Sequence, residues 1–231
     1  MVRYDLHIHT YYSPCAVNSP KEIIEQAEKM GLNGIAITDH DTFEGVHEAL
    51  EIETELMIVP GIEISTNKGH ILALGIIDGE IEPGLSPKEA VDLVHRLGGI
   101  AIPAHPFDYI RLGIKKEVYN ISCDALEVIN GCSTLARWNK LARKAALELD
   151  LPMIAGSDGH AAFEIGIAWT DFLTEPQTWQ ELISMILKKE SIPKGSRHNL
   201  LTSKIKRYWL KFKNRNNRPE TGPSIRRFKR W

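Results

Sequence analysis

The stretch Val2-Arg3-Tyr4-Asp5-Leu6-His7-Ile8-His9 decides how this chain is read. Residues 2–8 read as a strand, and the run closes on two histidines spaced two apart. On a strand that spacing points both imidazoles to one face, where they can reach one ion or an adjacent pair. Further along stand Thr38-Asp39-His40-Asp41, Gly61-Ile62-Glu63, His70, Ala104-His105-Pro106 and Ser157-Asp158-Gly159-His160. Six of the nine histidines therefore sit at the ends of short apolar runs, where a barrel enzyme places its catalytic groups. Imidazoles mixed with carboxylates suit Zn, Mn or Fe(II).

Between these strand ends the chain alternates. Ser19-Pro20-Lys21-Glu22 is a helix start with Pro at the first helical position, and the amphipathic stretch behind it ends at Met30-Gly31. Ile35–Ile37 reads as a buried strand, Met57–Pro60 leads into Gly61–Ile64, and His70–Ile76 forms its partner. Ser86-Pro87-Lys88-Glu89 repeats the helix start for a helix to about Leu97, closed by Gly98-Gly99. Strands at Ile100–Ile102, Ala125–Ile129 and Met153–Ala155 follow, with a helix near Thr134–Leu149 between the last two. This succession predicts an α/β barrel-like fold with a mostly parallel sheet. Beyond about Pro193 the pattern dissolves into a basic segment, which divides the chain into a domain at 1–193 and a tail at 194–231.

The formal net charge of −2 hides an asymmetry. Residues 194–231 carry 13 Lys and Arg against the single acid Glu220, a formal +12, while residues 1–193 hold 15 basic and 29 acidic residues, a formal −14. Cys15, Cys123 and Cys132 are odd in number and form no Cys-x-x-Cys, which fits a reducing cytosol. The chain enters a strand at once, with no apolar signal core, and no apolar run is long enough to span a bilayer. A cytoplasmic protein is expected. There is no P-loop ending in Gly-Lys-Ser/Thr and no Gly-x-Ser-x-Gly, which argues against those two routes to hydrolysis.

Taken together, His7-x-His9, Thr38-Asp39-His40-Asp41, His105-Pro106 and Ser157-Asp158-x-His160, with Glu63 and His70 between them, resemble the PHP family of polymerase and histidinol phosphatase metal-dependent phosphoesterases over roughly residues 1–193. The resemblance implies a distorted (β/α)7 TIM-like barrel holding two to three divalent ions, Zn, Mn or Fe. It implies that His7, His9, Glu63 and Asp158 hold a first metal, that Glu63 bridges to a second completed by His70 and His105, and that His40 and His160 belong to a third. Family members commonly add an Asp or His to the third ion from the loop after the first strand, and this chain has Ser13-Pro14-Cys15 there. Proline cannot be a side-chain ligand, so a partial third site is expected, with Cys15 either packed or ligating as thiolate. Only 34 residues separate His70 from His105, so a substrate lid must come from elsewhere.

Two ions about 4 Å apart can activate a bridging water and clamp phosphate oxygens. The expected activity is hydrolysis of phosphomonoester or phosphodiester bonds in nucleotides, nucleic-acid ends or small phosphorylated metabolites by a metal-bridging hydroxide. Asp39 and Asp41 flank His40 and would orient it or a water as catalytic residues. Asn130, Ser133 and Arg137 follow a strand end and are substrate-binding candidates, Arg137 as a bidentate phosphate partner. His47, His95 and His198 read as ordinary satisfied polar residues, and Trp169 and Trp179 as core. Two other readings remain: an amidohydrolase-type metal hydrolase, and a nucleic-acid-binding module with a structural or weakly active metal cluster. In the tail, Tyr208-Trp209-Leu210-Lys211-Phe212-Lys213 and Arg226-Arg227-Phe228-Lys229-Arg230-Trp231 interleave aromatics with bases. That composition suits single-stranded nucleic acid, docking on the acidic barrel, or attachment to a membrane surface.

Overall fold

A computed structural model describes residues 1–213. Strand β1 (Val2–Ile8) leads to helix α1 (Pro20–Lys29), β2 (Gly34–Ile37), α2 (Glu44–Leu50), β3 (Met57–Thr66) and β4 (Gly69–Leu74). Then come α3 (Pro87–Arg96), β5 (Ile100–Pro103), β6 (Leu126–Asn130), α4 (Ala136–Glu148), β7 (Met153–Gly156), β8 (Ala168–Phe172), α5 (Trp179–Leu187), β9 (Ile192–Gly195) and α6 (Leu200–Lys213).

Seven strands form one curled sheet in the order β5-β4-β3-β2-β1-β8-β9, and β6 pairs with β7 beside it. Residues just outside β6 and β7 tie that pair to β1 and β5 of the sheet. The Asp158 amide donates to the His7 carbonyl at 2.8 Å, and the Asp124 amide to that of Ala101 at 2.9 Å. The expectation of a mostly parallel sheet needs correction. β1–β2, β2–β3 and β6–β7 are parallel, but β3–β4, β4–β5, β1–β8 and β8–β9 are antiparallel. For β4 the cause is local: β3 turns back within two residues at Asn67-Lys68, too short for the helical crossover that a parallel return needs.

Both anticipated helix starts are capping boxes. Ser19 and Ser86 accept from the amides of Glu22 and Glu89, whose carboxylates return to the serine amides, and Pro fills the first turn of each. Helix α1 buries Ile23, Ile24 and Ala27 with Ile35, Ile37 and Ile58 of the sheet. Helix α5 buries Leu182, Met185 and Ile186 with Leu6, Val59 and Leu72, and Trp179 packs at the edge of that core. A third core joins α3 and α4 to β3, β4 and β6.

The segment beyond Pro193 is more ordered than the sequence reading had it. Lys194 and Gly195 pair with β8, and α6 follows. Arg207 Nε lies 3.3 Å from buried Glu164, and Lys211 Nζ donates to the Pro14 carbonyl at 3.0 Å. Helix α6 thus turns cations toward the barrel, while Leu201, Ile205, Tyr208 and Phe212 face outward. The second aromatic-basic cluster, Arg226–Trp231, lies outside the described residues. Among the described residues, no helix is long and apolar enough to cross a membrane.

Candidate metal centre

The strands deliver the expected ligands to one place. His7 and His9 leave β1 fully buried, Glu63 sits in β3, His70 in β4, and His40, His105, Asp158 and His160 stand just beyond β2, β5 and β7. Glu63 is the hub. Its Oε2 has His9 Nε2 at 3.1 Å, His40 Nδ1 at 3.2 Å and His7 Nε2 at 3.5 Å. Its Oε1 has His70 Nδ1 at 3.1 Å and His105 Nε2 at 3.3 Å. Asp158 Oδ1 adds contacts of 3.3 Å to His9 and 3.6 Å to His7. Asp41, His105 and Asp158 reach their positions at φ of 54°, 33° and 52°, a left-handed backbone that costs non-glycine residues and tends to collect at functional sites.

The donor set fits divalent ions. Both Glu63 oxygens, Asp158 Oδ1 and Nδ1 of His40 and His70 are buried without a hydrogen bond, although nitrogens and oxygens approach closely. Buried polar atoms are rarely left so, and converging lone pairs are what a cation satisfies. Burial opposes the charges, yet His40, His70 and His7 hold the Glu63 carboxyl well below its usual range. Arg111 and His7 do the same for Asp158 against the same burial. Burial pushes His40 and His160 well below the ordinary imidazole value.

A shell of polar residues aims these ligands. Glu127 accepts from His7 Nδ1 at 2.9 Å, from the His105 amide at 2.6 Å and from Asn130 Nδ2 at 3.0 Å. Asn130 also donates to Asp158 Oδ2 at 3.0 Å, which makes it a holder of a ligand. Asp39 is buried and accepts from the Thr10 amide and hydroxyl and from Ser13 Oγ, while Ser13 Oγ contacts His9 Nδ1 at 3.3 Å. Asp41 accepts from the Ser65 amide at 2.7 Å. Gly156 lets β7 pass β1, since a Cβ there would lie 2.4 Å from that of His7.

Of the other substrate candidates, Ser133 is buried, with Oγ donating to the Leu135 carbonyl at 3.3 Å. Arg137 is exposed, its guanidinium 4.2 Å from the Trp138 ring centroid. The guanidinium at the cluster belongs to Arg111, with Nη1 2.6 Å from Asp158 Oδ2. Sequence reasoning missed Arg111 and Glu127. Glu127 had a signal, a lone acid within the apolar run Ala125–Ile129; Arg111 sits in irregular chain with none. His47, His95 and His198 pair with the Ile77 carbonyl, Asp124 and the Glu164 carbonyl at 2.9, 2.8 and 2.9 Å.

Among the described residues, Cys15 of the 13–15 loop joins none of the ligand trios whose atoms lie within 4.8 Å of one another. Burial pushes up the thiols of both Cys15 and Cys132. Among the described residues, four ligand trios bring their atoms within 4.8 Å of one another: His7–His9–Glu63, His40–Glu63–His70, His9–His40–His160 and Cys132–His160–Glu164.

Against known families, residues 5–134 match the PHP domain and residues 136–191 the PHP-associated C-terminal region. The chain belongs to the PHP family. An uncharacterized protein of Methanocaldococcus jannaschii, MJ1587, is 36% identical over 141 residues, 56% of this chain and 82% of its own length. A 5'-3' exoribonuclease of Haemophilus influenzae is 35% identical over 116 residues, 44% of this chain and only 42% of the exoribonuclease. A two-domain Bacteroides vulgatus protein, described as containing a predicted PHP-like metal-dependent phosphoesterase, superposes with a TM-score of 0.67 at 17% identity. That match covers 89% of this chain and 69% of the other, and at such identity it speaks for the fold alone.

Proposed function

We propose that this PHP chain is a divalent-metal-dependent phosphoesterase acting on nucleotides, nucleic-acid ends or small phosphorylated metabolites. The observation that carries the reading is the two-sided occupation of Glu63, with His7, His9 and His40 on Oε2 and His70 and His105 on Oε1. A carboxylate so placed would bridge two ions. His7, His9 and Asp158 would complete one position, and His70 and His105 the other. Zn, Mn or Fe(II) bound there would supply Lewis acidity toward phosphate oxygens and an acidified water.

The protein's own groups have distinct roles in this reading. Glu127 fixes the proton of His7 on Nδ1 and so presents Nε2 to the cluster. Asp39 holds Ser13 against His9, and Asp41 ties the turn after β2 to β3. Arg111, partly exposed beside Asp158, can offer a planar pair of donors to a phosphate entering from solvent. The cations of α6 stand near the same mouth, where Lys211 reaches the Pro14 carbonyl, and would draw in single-stranded polyanions. The exoribonuclease similarity, partial as it is, favours nucleic-acid ends among the substrates.

The test is a hydrolysis screen of metal-reconstituted protein over phosphomonoesters, phosphodiesters, oligonucleotides and amides. Phosphoester turnover that disappears in Glu63→Gln supports the proposal. Turnover of amides alone would select the amidohydrolase reading, and metal binding with no turnover the nucleic-acid-binding module.

A further inference from the structure

The third-ion candidates His40 and His160 come together with His9, but no Cys, Asp, Glu or His of the loop after β1 joins them. The expected ligand position in the loop after β1 is Pro14, and the neighbouring Cys15 joins none of the ligand trios found among the described residues. His9 and His40 also face Glu63 Oε2, with nitrogens 3.1 and 3.2 Å away. His160 differs. Its Nδ1 donates to the Asp158 carbonyl at 2.7 Å, which leaves Nε2 as the lone-pair nitrogen.

Two groups from other parts of the chain complete a pocket with His160. Cys132, two residues beyond β6, is buried, and its amide is pinned to Asn130 Oδ1 at 3.0 Å. Glu164, in the 3-10 turn Ala162–Glu164, is fully buried; its Oε2 accepts from the His160 amide at 2.9 Å. Its Oε1 makes no hydrogen bond and is ion-paired with Arg207 Nε at 3.3 Å. The ligand atoms of Cys132, His160 and Glu164 lie within 4.8 Å of one another.

We infer that Cys132, His160 and Glu164 form a thiolate-containing site for a further divalent transition metal, displaced from the Ser13–Cys15 loop toward the loop after β6. One sulfur, one imidazole and one carboxylate suit a tetrahedral ion such as Zn or Co(II), with the fourth position open to water. Cys132 binds as thiolate and releases its proton to solvent as the ion enters. Arg207, reaching from α6 to Glu164 Oε1, orients that carboxylate and so joins the C-terminal helix to the metal centre. The site rests on the metal-centre reading through His160 alone, and its test requires no turnover.

The experiment is a Co(II) titration of the full, reduced, metal-free chain, followed by absorbance. A thiolate bound to Co(II) gives a ligand-to-metal charge-transfer band in the near ultraviolet, which imidazole and carboxylate sites lack. The band should grow with the third equivalent, persist in Cys15→Ser and vanish in Cys132→Ser. Glu164→Gln should weaken that equivalent by about tenfold or more and leave the first two unchanged. Should Cys132→Ser not fold, X-ray absorption of the wild-type Co(II) form decides, because it shows sulfur in the coordination shell or does not. Cobalt bound to saturation without the band overturns this site alone, as does a band lost in Cys15→Ser and kept in Cys132→Ser, or an unweakened third equivalent in Glu164→Gln. Failure of the chain to bind cobalt at all would overturn the metal centre as well.

Discussion

Replacing Glu127 by Gln should loosen the first metal position although residue 127 would never touch an ion. The carboxylate serves three donors at once: His7 Nδ1 at 2.9 Å, the His105 amide at 2.6 Å and Asn130 Nδ2 at 3.0 Å. A glutamine has one acceptor oxygen and an amino group. With its oxygen toward the His105 amide and Asn130, the amino group meets the Nδ1 proton of His7, and two donors face each other in a site with no exposure. His7 must then move, or shift its proton to Nε2, the nitrogen required by the cluster. A hydrogen bond to a charged group contributes about 1.5–3 kcal/mol, and losing such a partner typically lowers metal affinity about 10- to 100-fold. At about 1.4 kcal/mol per factor of ten the two estimates agree. Competition with a chelating indicator measures the affinity, and the thermal midpoint of metal-free protein checks the fold. A Glu127→Gln protein that folds and binds its first ion within about twofold of wild type would refute the claim that Glu127 sets the His7 tautomer.

The remaining predictions probe the site from other directions. Glu63→Gln and His105→Ala should abolish phosphoester hydrolysis while His95→Ala, at the end of α3 and paired with Asp124, leaves it nearly intact; equal losses in all three folded variants would misplace the centre. Gly156→Ala should destabilise the fold by about 1–3 kcal/mol, because its Cβ would sit 2.4 Å from that of His7, and an unchanged denaturant midpoint would contradict that contact. Ser86→Ala should cost about 1 kcal/mol through loss of the α3 capping box, again read by denaturation. Ending the chain after Gly195 should weaken binding of single-stranded oligonucleotides and spare a small phosphoester. If roughly six tail cations meet phosphates, the wild-type log-log salt slope should be about −4, and equal oligonucleotide affinity in both forms would argue against a nucleic-acid role for the tail.

The sequence was most legible where local chemistry and fold agree. Both Ser-Pro-x-Glu starts became capped helices because their reciprocal bonds depend on four neighbouring residues and little else. The antiparallel β4 and β8 were harder to read. A short apolar run records that a strand is buried, while its direction follows from connections such as the two-residue turn at Asn67-Lys68. Helix α6 was hidden for a related reason. Leu201, Ile205, Tyr208 and Phe212 do recur at helical spacing, but they face outward, and the dense Lys and Arg between them read as a solvated tail.

The same distinction explains which parts of the site could be found. A ligand set for paired ions needs particular residue types at strand ends, so His-x-His and Asp-x-His are visible one-dimensionally, and the structure gathers those side chains around Glu63. The residues that aim them are chosen by proximity across the barrel. Glu127 reaches His7 over 120 positions, and Arg111 reaches Asp158 from a segment without regular structure. Ordinary residue types carry those roles, so spacing gives no warning of them. An unpaired acid inside an apolar strand is the nearest thing to a signal, because a carboxylate with no exposure must have donors waiting for it. By that argument Glu127 could have been singled out from Ala125-Leu126-Glu127-Val128-Ile129 alone, although its three partners could not.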